Sequence, residues 1–141
     1  MALDLSSLKN AVASMEQTLE RSEDETLMET LDEITQNAIR AGAIQNFEFT
    51  FELCWKFIQR WIRLNKTPED ADHPRTRKEL FRLAARYGLI DDPVAWFRYG
   101  DARNITSHTY DEDTAALVYE TARSFIRDAA DLLQKLEHHN D

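Results

Sequence analysis

A short segment in the C-terminal half of the chain concentrates groups that can do chemistry. In order, it reads Arg103, Asn104, Ile105, Thr106, Ser107, His108, Thr109 and Tyr110, and Asp101 lies two residues upstream. A surface loop would contain fewer arginine and tyrosine residues, and a core segment would contain more leucine and valine. We therefore predict that this segment is the functional site and that the rest of the chain is a scaffold which presents it.

The two most reactive groups of the segment are an imidazole and a guanidinium. An imidazole changes its protonation near neutral pH, so His108 can transfer protons. The guanidinium of Arg103 can bind a phosphate through a planar pair of donors and stabilise charge that develops on it. The pair would suit metal-independent RNA cleavage, supported by Asn104, Ser107 and Asp101. The sequence offers no obvious metal-ligand set, and we expect no cofactor. On spacing alone, a capping or ion-pairing role for the two residues is the alternative.

The spacing of Arg103 and His108 restricts how they can cooperate. Five positions on a continuous α-helix would point the two side chains about 140° apart, so one unbroken helix cannot bring them to one site. Either the helix ends near Ser107 and the chain turns His108 back, or the two groups meet across a dimer. Both options are compatible with a new helix that Asp111 caps.

The composition indicates an all-α scaffold of one domain over residues 1–141. Hydrophobic residues make up 43% and charged residues 30% of the chain, and it contains only three glycines and three prolines. Long stretches without backbone breakers favour helices. The lone Cys54 allows no disulfide within the chain and no thiolate metal cluster. No apolar stretch approaches the roughly 18 residues of a membrane span, and no signal sequence is apparent, so we expect a cytoplasmic location.

Apolar periodicity predicts an antiparallel bundle of four to five helices. The first helix covers residues 5–21, and a single long central helix runs from about residue 26 to 64. A polar loop follows to Pro74, a helix covers 75–87 and ends at Gly88, and a short helix begins at Pro93. The final helix carries an apolar face that begins at Leu117.

The second half of the long helix carries two apolar rows. They are Phe47, Phe51, Cys54 and Ile58 in one row, and Phe49, Leu53 and Phe57 in the other. One row suffices to face the core of a small bundle, so two rows suggest burial from two sides. A homodimer interface is the simplest source of the second side, and a thick monomer core is the alternative.

Basic residues are concentrated in one stretch of an acidic chain. The formal net charge of −9 weighs against a protein that coats nucleic acid broadly. On a helix over 75–87, a strip roughly 80° wide would be basic. Its members are Arg75, Lys78, Arg82 and Arg86. We interpret this stripe as the candidate track for an RNA backbone, with an ordinary solvated face as the alternative.

Two motifs of the sequence resemble a known family. The pattern Arg103-x4-His108-x-Tyr110 resembles the R-x4-H-x-Y signature of HEPN-domain proteins, and more narrowly the small subunit paired with a minimal nucleotidyltransferase (MNT). The stretch FEFTFELCWK over residues 47–56 is similar to a second motif of that subfamily. With the helix order, the two motifs cover nearly the whole chain. One departure is Asn46, where the family often has arginine, so a phosphate contact from this position is not carried over.

This resemblance implies a HEPN-like helical bundle that dimerises so that two Arg-x4-His segments approach each other. It also implies a toxin–antitoxin pair, in which the HEPN subunit is the toxin, usually a ribonuclease, and the MNT nucleotidyltransferase is its antitoxin. The tyrosine that matches Tyr110 is the residue to which the partner transfers AMP. Added bulk and negative charge two residues from His108 would keep RNA from Arg103 and His108.

Two other functions are compatible with the sequence. An older description of the same family is the substrate-binding subunit of a nucleotidyltransferase, in which the polar segment would hold a nucleotide or substrate without catalysis. The chain could also be a helical interaction module, in which Arg103 and His108 only brace a dimer.

Overall fold

The computed structural model describes residues 2–108 and 111–140, and all the regular secondary structure in these residues is helical. The helices are α1 (Ser6–Glu23), α2 (Glu25–Glu29), α3 (Glu33–Asn65), α4 (Pro68–Asp72), α5 (Arg77–Arg86), α6 (Pro93–Asn104) and α7 (Glu112–His138), with a 3₁₀ turn over Thr106–His108. The all-α prediction is confirmed. Five helices of ten or more residues form a bundle with α3 as the long central helix, and the one-turn helices α2 and α4 connect them.

Hydrogen bonds at both ends of α1 establish its direction against α7. The backbone N–H of Leu3 donates to Oδ1 of Asn140, 2.8 Å away, beyond the C-terminus of α7. At the other end of α1, the hydroxyls of Ser22 and Tyr119 lie 2.5 Å apart, near the N-terminus of α7. The two helices are therefore antiparallel, and the ends of the described chain are held together.

The predicted long helix is interrupted near its start, so its predicted beginning is wrong. Residues 25–29 form α2, and α3 begins only at Glu33. Asp32 caps α3, because its Oδ1 accepts a hydrogen bond of 2.8 Å from the backbone N–H of Thr35. The side-chain amide of Gln36 donates to the carbonyl of Met28 at 2.6 Å, which also accepts from the N–H of Leu31 at 3.1 Å, so Gln36 of α3 is tied to the end of α2.

A cluster of aromatic side chains joins α3, α6 and α7 in the core. The ring of Phe125 on α7 lies 5.1 Å from Phe47, 5.1 Å from Tyr99 and 5.6 Å from Trp96, all in edge-to-face arrangements. Such pairs add about 0.5–1.5 kcal/mol each beyond the burial of their area. The cluster fixes α6, which carries Arg103, against both long helices.

The second apolar row of α3 is only partly covered within the chain. Phe57 is 2% exposed, so the chain's own core accounts for it. Phe49 is 59% exposed, and Leu53 is half-buried. The thick-core alternative therefore explains one end of the row, and the other end lies at the surface of the single chain. Dimerisation through this surface stays a prediction.

The apolar face of α7 is shifted by one residue at its start. Asp111 caps the helix as predicted, with its Oδ1 accepting from the N–H of Asp113 at 3.4 Å. Leu117, predicted on the buried face, is instead exposed, and Val118 is fully buried. One residue corresponds to about 100° of rotation, so only one of the two can face the core.

The basic helix is shorter at its start than the sequence predicts. Thr76 caps α5 by accepting a hydrogen bond from the N–H of Glu79 at 3.2 Å, and the Glu79 carboxylate accepts from the N–H of Arg75 at 2.9 Å. Arg75 therefore lies before the helix and not on its stripe. Gly88 ends α5 as predicted, with a positive φ of 79° that favours glycine. None of the helices described is long and apolar enough to cross a bilayer.

Candidate functional site

A break in the helix separates the two predicted catalytic residues. α6 ends at Asn104, and the N–H of Ile105 donates back to the carbonyl of Ala102 at 3.2 Å. The 3₁₀ turn follows, and the N–H of His108 donates to the carbonyl of Ile105 at 3.0 Å. The helix ends three residues earlier than Ser107, where the sequence placed the end. Arg103 and His108 therefore lie on different elements, as the first of the two predicted options requires.

Arg103 is held against α3 by two carboxylates. Its Nη2 lies 3.4 Å from Oε1 of Glu48, and its Nε lies 3.1 Å from Oε1 of Glu52. On the other side, Nη1 donates to the hydroxyl of Thr106 at 3.4 Å, and this hydroxyl donates to the Arg103 carbonyl at 2.8 Å. The Arg103 side chain is 29% exposed. A phosphate could reach the guanidinium but would share its charge with the two carboxylates.

Glu52 connects Arg103 to the basic helix. Its Oε1 lies 3.5 Å from Nη1 of Arg77, the first residue of α5, and its Oε2 accepts a hydrogen bond of 2.9 Å from the indole of Trp55. The Arg77 guanidinium in turn lies 4.7 Å from the centre of the Trp55 ring. One carboxylate thus contacts two arginines and an indole, which fixes its position.

The sequence reasoning missed Glu48 and Glu52 as members of the site. They lie in the FEFTFELCWK motif, but no role was assigned to them. Their spacing of four residues places both on one face of α3, and they are the only acids within an apolar stretch. This pattern could have predicted that Glu48 and Glu52 contact a basic side chain of another element.

The anchoring of α6 depends on Tyr99, which lies one turn before Arg103. Its hydroxyl donates a hydrogen bond to the carboxylate of Asp128 on α7. Burial, together with this hydrogen bond, raises the pKa of Tyr99, so the hydroxyl keeps its proton and remains a donor. The contact holds the C-terminal half of α6 in place behind the turn.

The remaining predicted site residues lie at the surface around this break. Ser107 and His108 are exposed on the 3₁₀ turn, while Asp101 and Asn104 are exposed on α6. Asp101 and Asn104 line a groove between α5 and α6. Tyr110, the predicted AMP acceptor, lies outside the described residues.

The predicted basic stripe is exposed along α5. Lys78, Arg82 and Arg86 follow one another at four-residue spacing on the helix. Nζ of Lys78 lies 5.7 Å and Cζ of Arg82 lies 5.1 Å from the ring centre of Phe97 on α6. The structure therefore brings Lys78 and Arg82 towards α6, whereas Arg77, which the sequence stripe omitted, contacts Glu52 and Trp55 on α3.

Other side chains near the site have structural contacts. The amide of Asn46 donates to the hydroxyl of Thr18 on α1 at 2.9 Å, so it connects α3 with α1. Cys54 is buried, and burial raises the pKa of its thiol, which disfavours the reactive thiolate. Over residues 2–108 and 111–140, no group of three or more histidine, cysteine or acidic side chains is placed to hold a metal ion.

Comparisons with known proteins place the chain in a family. The family model described as "Nucleotidyltransferase substrate binding protein like" matches residues 3–138. A Haemophilus influenzae protein named "Probable ribonuclease HepT" is 38% identical over 138 residues, which cover 98% of this chain and 94% of that protein.

Two solved structures share the fold. A Haemophilus influenzae structure, described as the fold of a substrate binding domain of a nucleotidyltransferase, has a TM-score of 0.90 and 37% identity, covering 95% of this chain and 99% of that one. A Thermus thermophilus structure has a TM-score of 0.73 and 27% identity, covering 92% and 98%. In agreement with the resemblance of its motifs to HEPN subunits paired with minimal nucleotidyltransferases, the chain belongs to the nucleotidyltransferase substrate binding protein family.

Proposed function

We propose that this chain is a ribonuclease in which Arg103 and His108 are the catalytic residues. The observation that carries the proposal is the position of Arg103, held at the end of α6 beside the turn that carries His108. The relative named as a probable ribonuclease supports the same activity. His108 transfers a proton at the ribose 2′-hydroxyl or at the leaving oxygen, and Arg103 stabilises the charge of the pentavalent phosphorus.

The carboxylates of α3 support this assignment of Arg103. An arginine that stabilises a transition state must be fixed before the substrate arrives, because reorganisation would consume part of the stabilisation. Glu48 and Glu52 hold the guanidinium from one side, and its remaining exposure leaves room for a phosphate. Asn104 and Ser107 supply further hydrogen bonds from the exposed side, and Asp101 lies one turn before Ile105.

The basic stripe gives the RNA a path to this site. Lys78, Arg82 and Arg86 are exposed on α5, and Arg75 precedes its cap. In a chain of net charge −9, these cations are the best candidates for contacts with the phosphate backbone.

The proposed biological role is the toxin of a toxin–antitoxin pair that acts in the cytoplasm. Its partner would be an MNT nucleotidyltransferase, which transfers AMP to Tyr110 and so neutralises the ribonuclease. The nucleotidyltransferase named in the family description supports such a partner. Because Tyr110 follows His108 by two residues, an added phosphate and nucleoside would exclude RNA from the site by bulk and charge.

The ribonuclease proposal is tested by replacing the imidazole. We expect His108→Ala to lower the rate of RNA cleavage by at least about 100-fold, the contribution typical of a general acid or base. His73→Ala changes another exposed histidine and should cleave like the parent protein. If purified His108→Ala cleaves RNA at the parental rate, the assignment is wrong.

The regulatory proposal is tested by mass spectrometry of the chain after incubation with the partner transferase and ATP. We expect the mass of AMP on the peptide that contains Tyr110, and loss of RNA cleavage as the modification accumulates. Tyr110→Phe should accept no AMP at this position and should escape inhibition. If the transferase and ATP inhibit Tyr110→Phe as strongly as the parent chain, neutralisation through AMP on Tyr110 is contradicted.

A non-catalytic substrate-binding subunit is the second candidate function. The description of the Haemophilus influenzae structure as a substrate binding domain favours it. In that case the transferase should lose activity towards its substrate when this chain is omitted or when residues 103–108 are replaced. A transferase that needs neither the chain nor these residues would exclude this function.

A further inference from the structure

A groove between α5 and α6 extends from the neighbourhood of Arg103 along the surface. Its volume is about 420 Å³, and its walls include Arg77 and Lys78 on α5 and Phe97, Asp101 and Asn104 on α6. This volume lies within the range of small-ligand sites in proteins, about 300–1,000 Å³, and is enough for one nucleotide.

The groove is connected to Arg103 through Glu52 and through the backbone of α6. Asn104, which lines the groove, follows Arg103 in sequence, and Arg77 contacts the same oxygen of Glu52 as Arg103 does. The Arg103 Nε lies 3.1 Å and the Arg77 Nη1 lies 3.5 Å from this oxygen. A chain of linked nucleotides with one phosphate at Arg103 could therefore place the next nucleotide in the groove.

Phe97 and two cations give the groove the chemistry of a nucleotide site. The Phe97 ring is half-buried, and two cations of α5 lie over it within 6 Å of its centre: Lys78, which lines the groove, and Arg82, one turn further along the helix. Neither cation forms an ion pair with a carboxylate within the described part of the chain, so their charge is available to a phosphate. An aromatic face beside unpaired cations is the arrangement by which proteins bind single-stranded nucleic acid.

We propose that this groove binds the nucleotide of a single-stranded RNA next to the one held at Arg103. Its base replaces the two cations over the Phe97 ring, and Lys78 and Arg82 turn from the ring to its phosphate. The carboxylate of Asp101 repels phosphate and accepts a hydrogen bond from the ribose 2′-hydroxyl, which favours RNA over DNA. The inference rests on the proposed ribonuclease function, since it assigns a second subsite to the same substrate.

The experiment measures the binding of a fluorescent 12-nucleotide single-stranded RNA to the full chain carrying His108→Ala, so that the RNA stays intact. In this background, Phe97→Leu removes the ring but keeps an apolar side chain. We expect it to weaken binding by roughly 5- to 100-fold, the range for loss of one base–aromatic stack. Lys78→Gln should also lower the slope of log affinity against log salt by about 0.7, the value for one phosphate of a single strand. Arg127→Gln changes an exposed arginine of α7 and should alter neither quantity.

The outcomes separate the groove from the ribonuclease proposal. If the His108→Ala chain does not bind the RNA, or if Phe97→Leu binds it as tightly as its background, the groove proposal is overturned even when the parent chain cleaves RNA. If Phe97→Leu weakens binding but the parent chain cleaves nothing, the groove stands and the ribonuclease proposal fails. The same sequence as DNA should bind more weakly. If AMP displaces the fluorescent RNA as well as unlabelled RNA does at the same concentration, the groove is a site for a mononucleotide and the proposed RNA subsite is overturned.

Discussion

The contacts of Arg103 and the catalytic role proposed for it place opposite demands on one side chain. Its contacts with Glu48 and Glu52 attach α6 to α3, and they also reduce the positive charge that it presents to a substrate. An arginine without these carboxylates would present its full charge to a phosphate, but its side chain would lose conformational entropy when the phosphate bound. The pair of carboxylates therefore orients the guanidinium before a substrate binds, and it weakens the electrostatic attraction between the guanidinium and a phosphate.

Glu52 is the residue whose replacement separates these demands. Glu52→Gln keeps an oxygen that can accept from the Trp55 indole but removes the charge beside Arg103 and Arg77. We expect kcat for RNA cleavage to fall about 10-fold while KM changes by less than about twofold, because Arg103 loses its fixed position at the transition state. Steady-state kinetics on a short RNA would measure both parameters.

Two controls show whether the effect is one of positioning. Glu69→Gln changes an exposed acid of α4 and should leave kcat and KM at the parental values. The free energy of unfolding of Glu52→Gln should fall by no more than about 1 kcal/mol, since the ion pairs are partly exposed. A kcat equal to that of the parent would show that Glu52 does not position Arg103.

At the scale of the elements, helix ends decide where the site lies. α6 ends at Asn104, and the 3₁₀ turn then redirects the chain, although the local sequence contains neither glycine nor proline there. The hydroxyl of Thr106 bonds to the Arg103 carbonyl, one of the groups left free at a helix end. The break is therefore a consequence of local hydrogen bonds, and it places His108 off the α6 axis.

The sequence predicted those parts of the fold that depend on local patterns. The range of α1 follows from apolar periodicity, and the starts of α6 and α7 follow from Pro93 at the first helical position and from the Asp111 cap. The break before α3 was missed because the apolar pattern continues across it, and only the capping geometry of Asp32 overrides that pattern. The carboxylates that hold Arg103 were missed because a contact between α3 and α6 joins residues about fifty positions apart.

The cap of α3 should make part of the stability depend on pH. Hydrogen bonds from Thr35 lower the pKa of the Asp32 carboxyl in the folded chain. A lowered folded pKa means that this stabilisation is present above the unfolded pKa, about 3.9, and is lost as pH falls through the folded value. Asp32→Asn retains an N-capping side chain that does not titrate. We expect the parent to be more stable than Asp32→Asn at pH 7, and the difference to shrink below pH 4.

Urea unfolding of both proteins between pH 3 and pH 7, followed by circular dichroism, measures this difference. Glu33→Gln, at the first position of α3, serves as the comparison, because it removes an acid next to Asp32 without touching the cap. A stability difference between the parent and Asp32→Asn that stays constant over the whole pH range would contradict the assigned role of the cap.

At the scale of the whole molecule, charge is divided between two regions of the surface. A groove between α1 and α7 is lined by four acids, Glu16, Glu20, Glu23 and Glu120, which outnumber its two arginines, Arg123 and Arg127. By contrast, α5 presents its cations beside α6. A uniform charge of −9 would repel RNA from the entire surface. For the proposed RNA substrate, the cations of α5 offer a path that leads towards Arg103 past Arg77 and Glu52.

The exposed end of the second apolar row gives the dimer prediction a defined location. Phe49 is 59% exposed, and it follows Glu48, which contacts Arg103. A second chain seated on Phe49 would lie at the same level of α3 as Glu48, the partner of Arg103, as the predicted approach of two Arg-x4-His segments requires. We expect the parent chain to sediment as a dimer and Phe49→Asp to sediment as a monomer, because a charge in an apolar interface is not solvated.

Val94→Asp provides the matched control for this dimer. Val94 is similarly exposed, at 54%, but it lies at the start of α6, two to three turns from Arg103. Val94→Asp should remain a dimer. If the site is completed by two chains, Phe49→Asp should also cleave less RNA per chain than Val94→Asp at equal concentration, and raising the concentration should recover part of the rate by restoring association. A monomeric parent chain that cleaves RNA would show that one chain holds a complete site. Arg103 would then cooperate with His108 of the same chain.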